Sequence, residues 1–321
     1  MEPPRPTSTA RSDELLELVH SLRHELRHRD ENVAGTWSEE TANDLRTGAK
    51  VGWYYPISGG GGLAFYSTEE DAAFGHVHVV PGSDAVERGV RLGRTMLDAL
   101  PPSVDSIDVG FTGLAAEEER ALTGQLAARP GSRIIERFKM ERELGPTDVA
   151  ERPEAPPGLQ LVPVRDITLE AIADLDQRAF AGTEDELLIG PSRSDYAEVA
   201  RALLAGRLGR FVEEASTALL HPDPPRLVGA ILTGEESPRR GIFLDFMVDP
   251  AERGHGYGRF LFRWGLRALR ALGYSSVRLW VSSSNTAARR LYESEGLRVS
   301  ALASIYRWER AAGAAHPQST R

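Results

Sequence analysis

Cysteine is absent from this chain of 321 residues, which excludes disulfide bonds and any thiol nucleophile. Long apolar runs are also missing, because no stretch approaches the length that crosses a bilayer. The amino terminus reads MEPPRP and lacks the charged-then-apolar layout of a secretory signal. These absences predict a soluble, cytoplasmic protein with no membrane partner.

Basic residues are in the minority, since 38 Lys and Arg stand against 47 Asp and Glu and the net charge is −9. A nucleic-acid-binding protein normally shows a basic face, so this balance argues against nucleic acid as a partner. The balance is compatible with a cationic or amine substrate. It is equally compatible with an acidic surface that only keeps the protein in solution.

Chain length and one proline-rich stretch predict two domains. A chain of 321 residues is too long for one ordinary domain and fits two of about 150 residues each. Four prolines and no apolar periodicity mark residues 146–158 as a linker. The predicted organisation is a first lobe over 1–145, a second over 159–310 and a flexible tail over 311–321.

The second half contains a glycine-rich turn between a strand and a helix. An apolar strand over 242–248 leads into the segment 253–258, RGHGYG, and a helix pattern begins directly afterwards. Glycines leave the backbone bare, so several N–H groups can converge on an anion with the positive end of the helix dipole behind them. The turn therefore predicts a site for a pyrophosphate.

Two common nucleotide-binding motifs do not fit this turn. A P-loop requires Lys followed by Ser or Thr after its last glycine, whereas Arg259 and Phe260 follow here. A dinucleotide-binding fold requires an acid at the end of the next strand, but no Asp or Glu occurs between Gly254 and Glu293. Both interpretations fail.

The residues after the next strand point to a family. Asn285 is placed to cap a short helix over 286–295, with Gly296 as its stop. The turn, this Asn and Tyr292 together resemble the GNAT (Gcn5-related N-acetyltransferase) superfamily, over residues 159–308. The resemblance implies that the turn holds the pyrophosphate of acetyl-CoA, that Asn285 contacts the pantetheine arm and that Tyr292 protonates the leaving thiolate. The cofactor-binding residues it implies are Phe246, Met247, Val248, Arg253, Gly254, His255, Gly256, Tyr257, Gly258, Arg259, Asn285 and Tyr292.

Two side chains are candidates for the chemistry: Tyr292 as an acid, and Asp245 as the group that binds or deprotonates an amine. A phenol stays protonated at neutral pH and can donate to a thiolate. Asp245 interrupts an apolar strand, where a carboxylate without a partner is costly. Structural interpretations stay open, because Tyr292 can simply pack its helix and Asp245 can be a buried, hydrogen-bonded residue. Glu213 and Glu214, on the preceding strand, are weaker candidates for recognising a positive substrate.

The first half repeats the order of elements without the chemistry. Its loop 82–93 is too long and glycine-poor to match the turn, and no Asn precedes the helix predicted over 115–128. We interpret this half as a degenerate copy that has lost its cofactor site; the alternative is an unrelated α+β domain. The predicted fold is α/β (α+β by some schemes), with two GNAT-like lobes, each a mixed, mostly antiparallel central sheet flanked by helices.

Histidines on the first helix raise the question of a metal. His20, His24 and His28 recur every four residues, a spacing that can bind zinc. No Cys or HExxH-type Glu supports such a site, so a solvated helix face is the preferred interpretation. The sequence predicts no metal.

The function that these features predict is transfer of an acetyl (short acyl) group from acetyl-CoA to a primary amine, by direct attack. The acceptor is expected to be a small molecule or a peptide. Two alternatives stay open. The tandem layout also resembles the mycothiol synthases, which acetylate the amine of a small amino-sugar/thiol conjugate, and the fold can serve as a non-catalytic CoA-binding sensor or scaffold. The oligomeric state does not follow from the sequence.

Overall fold

The computed structural model describes residues 2–29, 37–69, 71–149, 154–190, 192–207 and 209–310. The predicted tail, 311–321, and part of the predicted linker lie outside these ranges. The chain forms two compact units. Unit 1 contains the residues up to Arg137 and those from Leu302 onward, and unit 2 contains Phe138–Ala301. The limits of the units therefore fall inside two strands.

Helices and strands alternate along the described ranges. The helices are α1 (Ser12–Arg29), α2 (Trp37–Thr47), α3 (Ala85–Asp98), α4 (Ala116–Leu126), α5 (Leu169–Phe180), α6 (Glu184–Ile189), α7 (Arg193–Leu204), α8 (Tyr257–Ala271) and α9 (Thr286–Ser294). The strands are β1 (Arg5–Pro6), β2 (Val51–Tyr55), β3 (Gly62–Glu69), β4 (Ala72–Val79), β5 (Ser106–Thr112), β6 (Ser132–Glu143), β7 (Gln160–Pro163), β8 (Arg210–Phe211), β9 (Thr217–Pro222), β10 (Pro225–Ser237), β11 (Arg240–Val248), β12 (Ser276–Ser282) and β13 (Arg298–Glu309).

Unit 1 is a sheet covered by helices on both faces. Its strands run in the order β1 to β5, and the end of β13 adds to β5, with Tyr306 opposite Val109. Neighbours are antiparallel except β4 and β5, which are parallel. Helices α1 and α2 cover one face around Leu18, and α3 and α4 cover the other around Leu92.

Unit 2 repeats this plan. The sheet has the order β12, β11, β10, β9, β7, with β8 also on β10, and its parallel pair is β11 and β12. Helices α8 and α9 cover one face through Phe262 and Tyr292, and α5 and α7 cover the other through Leu175 and Leu203. The predicted architecture of mixed, mostly antiparallel sheets with flanking helices is confirmed.

Helix α8 lies very close to the sheet of unit 2 because a glycine faces β11. A Cβ atom at Gly265 would lie 2.9 Å from a ring carbon of Phe243. The helix ends at Ala271, and Gly273 follows it with a left-handed φ of +89°. Leu272 is 45% exposed because it comes after the last helical residue.

Several predicted elements differ from the structure. Helices α2 and α6 were not predicted. The sequence of 210–220 is typical of one strand, but a helical turn, Glu213–Ala215, interrupts it. The Ser216 hydroxyl donates to Val212 O and accepts from the Thr233 N–H in place of regular strand pairing. Glu213 therefore lies on a turn. The end of β13 belongs to unit 1, since Tyr306 pairs with β5.

Candidate active site

The parallel strands of unit 2 separate halfway along. Pairing of β11 with β12 runs from Arg240 opposite Ser276 to Phe243 opposite Leu279, and no described residue of β12 pairs with 244–248. A bulge begins at the same point, because Phe243 faces Thr233 on β10 while Asp245 faces Leu232. The extra residue bends the bulged strand. A gap therefore opens between the ends of β11 and β12.

The glycine turn lies directly after the unpaired part of β11. Gly254 and Gly256 have left-handed φ angles of +87° and +84°, and a Cβ at either would meet nothing within 4 Å. An open pocket of about 360 Å³ is lined by Val248, Glu252, Arg253, Gly254, Gly256, Tyr257, Gly258, Arg259 and Leu291. Bare backbone thus faces an open pocket directly after β11.

Helix α8 begins at this pocket without a side-chain cap. Gly256 is its N-cap residue and offers no acceptor to the first-turn N–H groups. These groups have no partner inside a helix, and the helix dipole adds partial positive charge to them. Gly258 adds no bulk, since a Cβ there would only reach ordinary contact with Val248 and Phe246 at 3.5 and 3.6 Å. The arrangement suits an anion.

The two arginines expected at the pocket are already paired. The Arg253 guanidinium donates to Ala179 O at 2.7 Å. Arg259 lies 3.2 Å from Glu295, which Arg263 also contacts at 2.8 Å. Both Arg253 and Arg259 line the pocket, but the fixed positive field there comes mainly from backbone N–H groups. His255 is exposed and stacks on Tyr257 at 5.5 Å, so its imidazole lies outside the cradle.

Helix α9 carries the other two residues of the motif. The Asn285 carboxamide oxygen accepts from the Ala288 N–H at 3.2 Å, which confirms Asn285 as the N-cap residue. Tyr292 is buried, and its ring centroid lies 5.1 Å from that of Phe262 and 6.2 Å from that of Phe246. Because Phe246 belongs to the unpaired part of β11, the Tyr292 ring lies beside the gap. Met247 instead packs on the opposite face of the sheet.

A carboxyl pair lies on that opposite face, and only one member was predicted. Asp245 meets Asp176 of α5, which is fully buried, and neither Asp176 oxygen accepts from an N–H or O–H of the described residues. Burial, followed by the charge of Asp245, raises the pKa of the Asp176 carboxyl well above its ordinary value. Burial raises the pKa of Asp245 to about 6, and the hydrogen bond with Asp176 counteracts part of that rise. Two carboxyls this close disfavour being ionised together.

Further acidic groups surround this pair. Ser282, the last residue of β12, donates its hydroxyl proton to Asp185 of α6 at 2.8 Å. The buried Tyr196 hydroxyl on α7 has no hydrogen-bond partner among the described residues. Burial, then the charges of Glu186, Asp176 and Asp185, raise the pKa of Tyr196 to about 12. The end of the gap on this side is negative, whereas the end at the glycine turn is positive.

The weaker acidic candidates lie elsewhere. Glu213 forms an ion pair with Arg165 at 2.8 Å. Glu214 lines a separate pocket with Tyr274 and Arg239. Neither is among the residues that surround Asp245, so the structure gives them no place in this site.

Comparison with known proteins identifies the family. A model of the acetyltransferase (GNAT) family matches residues 171–297. A mycothiol acetyltransferase of Thermobispora bispora is 33% identical over 275 residues, which cover 81% of this chain and 85% of that protein. This chain belongs to the GNAT acetyltransferase family. A second mycothiol acetyltransferase, from Saccharopolyspora erythraea, is 34% identical over 64% of this chain and 66% of its own length.

Solved structures share the fold of this GNAT acetyltransferase over nearly its whole length. A GCN5-related N-acetyltransferase from Sphaerobacter thermophilus aligns over 95% of both chains with a TM-score of 0.61 and 18% identity. A tandem GNAT protein from the clavulanic acid biosynthesis pathway aligns over 96% of this chain and 97% of its own, with a TM-score of 0.55 and 16% identity. The tandem arrangement predicted for the fold is thereby confirmed. Among the described helices of the acetyltransferase, none is both apolar and long enough to span a bilayer.

GNAT acetyltransferases use acetyl-CoA, and the residues of unit 2 fit its diphosphate. The open, side-chain-free cradle at Gly254 and Gly256 is the observation that decides this fit. The unpaired backbone of 244–248 offers N–H and C=O groups to the amides of a pantetheine arm. When bound there, acetyl-CoA supplies the activated acetyl thioester.

Unit 1 of the acetyltransferase differs from unit 2 in the pairing of its parallel strands and in its strand-to-helix turn. Its parallel strands stay paired to their ends, from Ala72 opposite Ser106 to His78 opposite Thr112. Two histidines of β4 contact the end of β5, since His76 and His78 lie 2.9 and 3.1 Å from the Thr112 hydroxyl. No gap corresponding to that of unit 2 opens between the described residues of β4 and β5.

A buried arginine lies at the turn between β4 and α3 in unit 1. The Arg88 side chain is 1% exposed and donates to the carbonyls of Gly60 at 2.7 Å, Val80 at 3.0 Å, and Gly61. A Cβ at Gly60 would lie 2.8 Å from the Arg88 side chain. Glycine at this position therefore leaves the space that the guanidinium occupies. A buried cation held by carbonyls thus lies at this turn, in contrast to the N–H groups at the glycine turn of unit 2.

Proposed function

We propose that this chain acetylates the primary amine of a small acceptor, and that the acceptor is a precursor of mycothiol or a close chemical relative of it. The main support for this proposal is the gap between β11 and β12, which has the glycine turn that suits an anion at one end and carboxyls at the other. Relatives that bear the name mycothiol acetyltransferase, one of them matched over 85% of its length, support the narrower acceptor class.

Charge separation along the gap supports direct transfer. The N–H groups around Gly256 hold the diphosphate, and the backbone after Phe243 positions the thioester. Holding the two reactants in one geometry lowers the barrier by as much as ~7–11 kcal/mol in well-oriented systems. The negative side at Asp245 attracts the cationic form of an amine, which is the form present in solution at neutral pH.

Tyr292 is proposed as the acid that protonates the departing thiolate. Its ring is held by Phe262 and Phe246 beside the gap, so its hydroxyl has a fixed direction. A phenol near its ordinary pKa of about 10 is protonated at neutral pH and can donate to a thiolate. The packing contacts and the acid function are compatible, because they use different parts of one side chain.

Acceptor specificity is the measurement that tests this proposal. Release of free CoA is followed with the mycothiol precursor that carries a free amine, with simple amino sugars, and with peptides bearing a free amino terminus or lysine. We expect the highest kcat/KM for the mycothiol precursor. Acetyl-CoA binding without turnover of any of these amines would instead favour a non-catalytic sensor. Preference for peptides would contradict the small-acceptor class.

A further inference from the structure

A second pocket lies in unit 2, at the opposite end of α8 from the glycine turn. It borders Gly273, which follows the helix, whereas the first pocket borders Gly256, which precedes it. Its charged and hydroxyl-bearing lining residues are Arg210, Glu214, Glu235, Arg239 and Tyr274. Because α8 has 15 residues and a helix rises about 1.5 Å per residue, its two ends are about 22 Å apart. The second pocket is therefore separate from the acetyl-transfer site.

One wall of this second pocket is an ion pair that a tyrosine completes. The Arg210 guanidinium donates to the Tyr274 hydroxyl at 2.9 Å and to the Glu235 carboxylate. The Tyr274 hydroxyl donates to the same Glu235 oxygen at 2.5 Å. Tyr274 is only 5% exposed, so its buried ring anchors the two charged side chains. The three groups satisfy one another, and this wall adds no net charge to the pocket.

Arg239 brings a positive charge to the pocket that no ion pair within the described ranges compensates. It is also the one non-glycine residue of those ranges with a left-handed φ, +67°. Ser237 pairs with Arg240 across the hairpin of β10 and β11, so Arg239 is the second residue of a two-residue turn. Glycine is the usual residue at such a position, because a Cβ there is strained. Strain of this kind is concentrated at binding sites.

Contacts inside unit 2 hold the strained turn in place. The Arg239 carbonyl accepts from the Ser275 N–H at 2.8 Å and from the Ser275 hydroxyl at 3.2 Å. These bonds attach the turn to the segment that follows α8. The backbone that carries the Arg239 side chain is thus fixed beside the pocket before any ligand arrives. Such preorganisation lowers the entropic cost of binding.

Negative charge borders the same pocket. Glu214 is exposed and lines it, and in the part of the chain that the structure describes its carboxylate forms no ion pair. The end of α8 also reaches the pocket at Leu272 and Gly273, where the helix carbonyls carry partial negative charge. The pocket therefore offers one uncompensated cation and one uncompensated carboxylate. A ligand that satisfies both carries a carboxylate and an ammonium group.

We propose that this second pocket binds a small α-amino acid with an apolar side chain, through its carboxylate at Arg239 and its ammonium at Glu214. An arginine fork suits a carboxylate because it can donate two parallel N–H bonds. Leu272, which is 45% exposed, supplies the apolar contact. The volume is about 260 Å³, and pockets for drug-sized ligands hold about 300–1,000 Å³, so the ligand is smaller. The site goes beyond acetyl transfer and does not depend on it.

Isothermal titration of the full chain with three matched probes tests the ligand class. L-leucine carries both charges, L-leucinamide lacks the carboxylate, and 4-methylpentanoate lacks the ammonium. We expect L-leucine to bind at one site per chain and each of the other two to bind at least 10-fold more weakly. Equal affinity for 4-methylpentanoate would show a simple anion site, and equal affinity for L-leucinamide a simple cation site. Either result, or no binding of L-leucine, overturns the proposal.

Arg239→Gly separates ligand binding from stability. Glycine adopts a φ of +67° without strain, which offsets the greater freedom of the unfolded chain, so the variant should unfold at no lower temperature than wild type. Its affinity for L-leucine should nevertheless fall at least 10-fold. Arg290→Gln is the control, because Arg290 is exposed on α9 and lines neither pocket. Wild-type affinity in Arg239→Gly would contradict the carboxylate contact.

Glu214→Gln tests the ammonium contact and should also weaken L-leucine binding at least 10-fold. Its control is Glu213→Gln, since the neighbouring Glu213 pairs with Arg165 at 2.8 Å and does not line the pocket. The control should bind like wild type. Equal affinities of the two variants would remove Glu214 from the site.

Two glycine variants show which pocket L-leucine occupies. Gly273→Glu places a carboxylate in the second pocket and should abolish L-leucine binding, whereas Gly256→Glu alters the first pocket and should retain it. The reverse result would place L-leucine in the acetyl-transfer site and overturn the proposal. These titrations require no turnover, so their failure is distinct from a failure to acetylate any amine, which would overturn only the proposed function.

Discussion

Gly256 and Gly273 flank the same helix, α8, with nearly equal left-handed φ angles of +84° and +89°, and a Cβ at either position would meet no atom within 4 Å. A side chain at either position therefore costs the same backbone strain, about 1 kcal/mol. Only Gly256 lines the pocket at the start of the helix. Substitutions at the two positions therefore distinguish the effect of backbone strain, which both share, from the effect of blocking the phosphate site, which only Gly256 has.

We therefore expect Gly256→Glu to weaken acetyl-CoA binding at least 100-fold, because the new carboxylate enters the diphosphate cradle. Gly273→Glu should lose a similar free energy of unfolding but bind acetyl-CoA like wild type. Isothermal titration measures both variants. Since the described residues of β4 and β5 stay paired and open no gap in unit 1, wild type should bind one acetyl-CoA per chain. Residual stoichiometric binding by folded Gly256→Glu would locate the site elsewhere.

Tyr292→Phe tests the proposed acid. The substitution keeps the ring that packs on Phe262 and removes only the hydroxyl. We expect kcat to fall about 100-fold, within the range for one lost general acid, while the Kd for acetyl-CoA changes little. Tyr274→Phe is the control, because Tyr274 bonds Glu235 at a separate pocket and should affect only stability. An unchanged kcat in Tyr292→Phe would leave Tyr292 as a packing residue.

The glycine turn and α9 could be predicted from the sequence because their information is local. A bare backbone at Gly254 and Gly256, and an Asn that caps the following helix, are each defined by a few consecutive residues. The strand order follows from periodicity and family resemblance. The predicted use of Arg253 was less secure, since its partner, Ala179 O, lies far away in the chain.

Asp176 could not be recognised in the same way. On α5 it occupies a core position next to Leu175, and a single Asp in an apolar stripe carries no signal of its own. Asp176 becomes a candidate only because it lies near Asp245, and the two come together only when α5 packs on the sheet. Helix α6 was missed because its six residues are too few to show a period. The acceptor side of the site is therefore assembled by tertiary structure.

The Arg88 side chain stabilises a loop of unit 1 by donating hydrogen bonds to its carbonyls. Arg88→Met should lower the free energy of unfolding by about 3 kcal/mol, since it removes the buried guanidinium that donates to the carbonyls of Gly60, Gly61 and Val80. Arg91→Met is the control, because Arg91, on the same helix, makes an exposed pair with Glu87 at 2.9 Å. The control should change stability by about 0.5 kcal/mol or less. Denaturant unfolding compares the two, and equal losses would contradict the buried contribution of Arg88.

The carboxyl pair should also make stability depend on pH. Both folded-state pKa values lie above the unfolded value, so the contribution to stability is full at low pH and is lost as pH rises through about 6, where Asp245 ionises. Asp176→Asn removes one of the two competing carboxyls and still offers an N–H donor to Asp245. Its free energy of unfolding should therefore exceed that of wild type at pH 8 by an amount on the order of 2 kcal/mol, with a higher melting temperature, and should nearly equal it at pH 4. Asp174→Asn, which changes a solvent-accessible carboxyl of the same helix that pairs with Arg193, should show no such pH-dependent gain. A lower melting temperature of Asp176→Asn at pH 8 would mean that Asp176 stabilises the fold as an ionised residue, which is incompatible with a raised pKa.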